Sequence, residues 1–66
     1  MKINYFSDTD TLLIHLNDNE IVETRDLNEN IFIELDKSGR LVSMTIEHAK
    51  EQANISDFTF RKVVTA

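Results

Sequence analysis

The chain is predicted to fold as a small α+β domain, mainly β. An antiparallel meander of about five strands spans residues 1–46, a short helix 47–53, and residues 54–66 form a tail, read as a sixth strand or an interface segment. Three observations carry this prediction. Apolar side chains recur at every second residue in short runs: Leu12, Ile14 and Leu16; Ile31, Ile33 and Leu35; Val42, Met44 and Ile46. A period of two puts each set on one face of a strand. The first two runs end in Asn or Asp, which bend the backbone and compete with ladder hydrogen bonds. After Glu47 the alternation stops, and Glu47–Ala53 holds helix formers and no β-branched residue.

Taken in order, Lys2–Phe6 is the first strand, with Ile3 and Tyr5 on one side, and Ser7–Asp10 the turn after it. Thr11–Leu16 is the second strand. Asn17–Glu20 is expected to make a tight hairpin, because Asn and Asp tolerate positive φ. Ile21–Leu27 is a third strand with weaker alternation, Asn28–Asn30 turns back, and Ile31–Asp36 is the fourth. The single glycine, Gly39, precedes the fifth strand, Leu41–Ile46, where a hairpin needs a left-handed residue. In the tail, Phe58 and Phe60 alternate with Thr59 and Arg61, favouring a strand; Asn54 with Asp57 three residues later is the competing helix start.

At 66 residues the chain is one small domain, and a core of that size is marginal without a disulfide, a metal or a partner. There is no cysteine, which removes disulfides and thiolate metal sites. Association is the remaining device, so a homodimer or higher homo-oligomer, a protein partner, or both are expected. No stretch approaches the roughly 20 apolar residues of a membrane span, and no leader-like apolar run follows Lys2; a cytoplasmic protein is expected. The net charge of −5 is uneven, with nine acids and only Arg25 as a base between Asp8 and Asp36. Such a surface repels phosphates and favours basic partners, so direct nucleic-acid binding is not expected.

The chemistry-bearing residues point away from catalysis. The serines lack nucleophile-elbow glycines, and His15 and His48 read as a surface and a hinge residue. Asp8 with Asp10, and Asp18 with Glu20, have the i, i+2 spacing of a calcium loop but lack its third ligand, glycine and terminal Glu. No catalytic, cofactor-binding or metal-ligating residue is assigned, and the chain is not expected to be an enzyme. The informative residues are apolar. Leu13 and Phe32 fall out of phase with the apolar sets and onto the otherwise polar face. Phe58, Phe60, Arg61 and Val63 combine aromatic and basic groups as protein interfaces do. All six are candidate partner contacts, and Leu13 and Phe32 are expected to be covered by the helix and tail, a second copy or a partner.

Several of these residues together resemble the domain-of-unknown-function 2283 family. Tyr5 followed by Asp10–Leu16 resembles its opening Tyr-x-x-x-x-Asp-x-Leu-x-Ile-x-Leu pattern. Glu23, Thr24 and Leu27 resemble its middle strand, Ile31–Val42 its Asp-x-x-Gly hairpin, and Ile46 with Ala49 its exit from the last strand. The likeness runs from Met1 to about Ala53. Ser43 and Asn30 stand where the family often has glycine, and Phe6 where it often has aspartate. The resemblance implies a small bacterial or phage-type protein with an antiparallel sheet and no carried-over catalytic residues. Some relatives look like the antitoxin beside a small ribonuclease-like toxin. The expected function is therefore a non-enzymatic protein-binding module, antitoxin-like toward a small basic partner; the alternative is a self-assembling structural or regulatory homo-oligomer.

Overall fold

A computed structural model describes residues 1–65. It contains five antiparallel strands and one short helix: β1 (Lys2–Phe6), β2 (Thr11–His15), β3 (Glu23–Asp26), β4 (Ile31–Leu35), β5 (Leu41–Glu47) and α1 (Ala49–Gln52). The expected sheet-then-helix architecture is present, but the sheet is not a plain meander. Its order is β1-β2-β5-β4-β3, so β5 sits in the centre and joins a β1–β2 hairpin to a β3–β4–β5 meander.

The order changes what residues 16–22 do. Asn17–Glu20 are expected to make a tight hairpin between strands reaching Leu16 and starting at Ile21; instead all seven residues carry the chain across the ends of β5 and β4 to the far edge. The crossover is held by Leu16 N–H donating to Val42 O (2.8 Å) and Val22 N–H to Leu35 O (2.9 Å). Asn17 Nδ2 donates to Leu41 O (3.1 Å) and Asn19 Nδ2 to Asp36 Oδ2 (3.0 Å). The side-chain amides thus fasten the crossover to the β4–β5 hairpin, and β3 shortens to the four residues that pair with β4.

Register assigns the faces. Tyr5, Leu12, Ile46 and Ile31 lie in one row across the sheet, and Ile3, Ile14, Met44, Ile33 and Arg25 in the next. We call this side the isoleucine face. At its end Glu34 opposes Ser43 while Leu35 opposes Leu41, leaving Val42 as the extra residue of a β-bulge. The bulge keeps both Leu41 and Val42 on the isoleucine face, where Val42 (1% exposed) and Leu35 (6%) are buried.

The β4–β5 turn is organised by Asp36. Its carbonyl accepts from Gly39 N–H (3.0 Å), and Gly39 has the expected left-handed φ of 80°. Its carboxylate Oδ1 accepts from the N–H groups of Ser38 and Arg40, each at 2.9 Å. The Arg40 N–H, chiefly, with the Asn19 amide, the Ser38 N–H and the Arg40 charge, holds the Asp36 carboxyl below its ordinary value against the opposing effect of burial. A carboxyl with a lowered folded-state pKa stabilises the fold above the unfolded value, roughly 3.9, and loses that contribution as pH falls through the folded value. Denaturant midpoints of wild type and Asp36→Asn should stay apart above about pH 4 and draw together progressively as pH falls below it.

At the opposite end the chain leaves β5 through His48, which is left-handed at φ 53° and precedes α1 without a side-chain cap. The helix is shorter than the expected 47–53. Glu47 N–H donates to Asn30 O (2.7 Å) and stays in the strand, and the reversed φ at His48 delays the first helical turn to Ala49. His48, read as a surface or hinge residue, stands at the strand-to-helix junction with its backbone reversed. His48→Gly should remove a left-handed penalty of about 1–2 kcal/mol, offset by the lost contact between His48 Nδ1 and Asn30 Oδ1 (2.9 Å). Chemical denaturation should show it as stable as wild type or up to about 1 kcal/mol more so, and His48→Val less stable.

The sixth strand is absent among the described residues: 53–65 belong to no strand, and Ala66 lies outside them. The segment approaches the face of the sheet, not an edge. Strand propensity expresses fit to a paired, pleated surface, and Phe58–Val64 finds no edge partner.

Candidate functional site

The isoleucine face is built from the alternating sets and is only half covered. Asp10, left-handed at φ 54°, ties the last turn of chain to it. Its carbonyl accepts from Ala49 N–H (3.0 Å), and its Oδ1 accepts from Tyr5 Oη (2.6 Å) and from Lys50 N–H (3.1 Å). The hydrogen bond to Asp10 raises the Tyr5 pKa above its ordinary value, with help from burial and the carboxylate charge. Asp10, one of the calcium-like carboxylates, is thus occupied by the chain's own donors. Ala49 is fully buried beneath this junction. The following residues, Ala53–Phe58, run beside Ile3, Tyr5, Leu12 and Ile14 and leave a groove of about 280 Å³ between them. Ile31, Ile33, Met44 and Ile46 stay half-buried.

The opposite face carries the out-of-phase residues. Its central row reads Asn4, Leu13, Thr45, Phe32, Asp26 across the five strands. Placing β5 between β2 and β4 brings Leu13 and Phe32 to either side of Thr45, about 10 Å apart at the usual strand spacing. Both are half-buried. Around them on the same face stand Asp26, Glu34 and Glu47, with Lys2 at one corner. This is an apolar pair in an acidic setting, and we call it the acidic face.

The six candidate contacts therefore divide. Leu13 and Phe32 share the acidic face, whereas Phe58 and Phe60 sit with Met1 and Ile3 beside the isoleucine face. The tail does not cover Leu13 and Phe32, because it lies on the other side of the sheet. Phe58, Phe60 and Val63 are 66%, 71% and 71% exposed, and Arg61 is exposed as well.

One juxtaposition was not legible in the sequence: strand order sets His15 directly opposite Ser43, with Asp18 Oδ1 3.7 Å from His15 Nε2. The three residue types match a hydrolase triad, but the connection fails. The Ser43 hydroxyl donates to Glu34 Oε1 at 2.6 Å, and Ser43 is 2% exposed. A nucleophile must face both its base and a substrate, and this hydroxyl instead holds β5 to β4. Among the described residues no three His, Asp or Glu side chains gather as a metal site would require, and no helix is long and apolar enough to cross a membrane.

The model of a family described as "Protein of unknown function (DUF2283)" matches residues 2–50, from the first strand to the start of α1. No curated protein and no solved structure matches the chain.

Proposed function

The chain belongs to the DUF2283 family of unknown function, and we propose that it is a non-enzymatic protein-binding module whose acidic face receives a small basic protein. The observation that carries this reading is the pairing of Leu13 and Phe32 across Thr45 with Asp26, Glu34 and Glu47 on the same face. Half-buried apolar residues surrounded by charge are the composition of an interface centre with a polar rim. The excess of acid between Asp8 and Asp36 steers a cationic partner toward the sheet and speeds encounter more than it tightens the complex.

An antitoxin-like role, masking a ribonuclease-type toxin, is the most concrete form of this proposal. Such a toxin binds RNA phosphates through basic residues, and an acidic face can occupy those residues. Co-expression with the protein encoded beside it tests the reading: a complex that copurifies, weakens with salt and restores growth supports it, and neither complex nor rescue refutes it.

A further inference from the structure

We infer that a second copy of this chain covers the isoleucine face, the two sheets packing face to face with Phe58 and Phe60 at the rim of the contact. The chain exposes 5381 Å², whereas a compact monomer of its mass exposes about 4,300 Å². The excess of roughly 1,000 Å² exceeds the ~800 Å² each partner contributes to a standard stable interface. The radius of gyration is 13.4 Å, against about 11 Å for a compact domain of this length. The molecule is 19 Å thick along its shortest axis, a single sheet with helix and tail on one side. The tail contributes to the excess surface, and a second sheet at the usual ~10 Å separation gives its phenylalanines apolar surface to meet.

Charge selects the occupant. Glu23 and Arg25, both on edge strand β3, are the only charged residues that register places on this face, and they are ion-paired with each other. Apart from that pair, Asp57 is the acid that lines the groove on this face, a single carboxylate and a poor target for a basic protein. Two copies, each of net charge −5, repel through their other surfaces, so the neutral face is where they approach at least electrostatic cost. The chain's own tail is not a sufficient cover, since its phenylalanines remain mostly exposed. A contact of one face with its twin is isologous and closes at two copies. The partner proposed above uses the opposite side of the sheet, so either idea can fail alone.

Sedimentation equilibrium of the full chain over micromolar concentrations is the test. A mass of twice the chain is expected, with a dissociation constant that falls as salt screens the like charges. Met44→Lys, at the centre of the face, and the double variant Phe58→Ser with Phe60→Ser, which alters only exposed side chains, should each weaken association about tenfold or more. Leu13→Lys on the acidic face should leave it unchanged. A monomeric wild type overturns the inference. So does a dimer that Leu13→Lys dissociates, or one that tolerates both the Met44 and the tail variants; the tail variant decides if Met44→Lys does not fold.

Discussion

Val42→Ala should lower the unfolding free energy by about 2–3 kcal/mol, the transfer term for two methyl groups plus the cavity they leave. Val42 is 1% exposed and is the largest fully buried apolar side chain. It is also the extra residue of the bulge opposite Leu35, and its carbonyl receives the Leu16 N–H that starts the crossover. Collapse around a smaller side chain is therefore opposed by three pieces of backbone already bonded to one another. A domain under about 70 residues has only some 3–5 kcal/mol from its core, so the variant should unfold at a far lower urea concentration than wild type. Leu27→Ala, at an exposed site, serves as the control, with an expected change below about 0.5 kcal/mol. Equal midpoints for the two variants would show that the core does not centre on the bulge.

The second large effect concerns binding. Phe32→Ala combined with Leu13→Ala should weaken a basic partner by about 2–4 kcal/mol, or roughly 30- to 1,000-fold. The fold should survive with a smaller loss, because both side chains are only half-buried. Asp26→Asn should act differently. Asp26 sits at the sheet edge in the same row, and removing one rim charge slows association and reduces salt sensitivity while changing dissociation little. Stopped-flow association and dissociation rates for the three proteins separate the effects. Loss of affinity with Asp26→Asn but none with the apolar pair would make the site a diffuse electrostatic one.

Much of the sheet was legible because period-two alternation is a local property. Leu12–Ile14, Ile31–Leu35 and Val42–Ile46 announce their strands and their phase, and Gly39 announces its turn. Strand order is not local. Asn17–Glu20 has the chemistry of a hairpin, and nothing within those four residues says that Asn17 and Asn19 will bond Leu41 and Asp36 instead. That single difference brings β5 to the centre and sets Leu13 and Phe32 on either side of Thr45. The left-handed backbones at Asp10 and His48 were equally hidden, since neither residue type requires that conformation. The tail misled for a related reason: its strand propensity is real, but no edge was offered to it. Leu13 and Phe32, by contrast, were recognisable as out-of-phase apolar residues from alternation alone, and only their neighbours awaited the fold.

Backbone amide shifts of the labelled chain, recorded as the copurified basic partner is added, test the binding face most directly. Changes concentrated at Leu13, Thr45, Phe32 and Glu34 are expected, with little change at Ile14, Met44 and Ile33. Changes confined to the isoleucine face, or none at saturation, would contradict the proposed use of the acidic face.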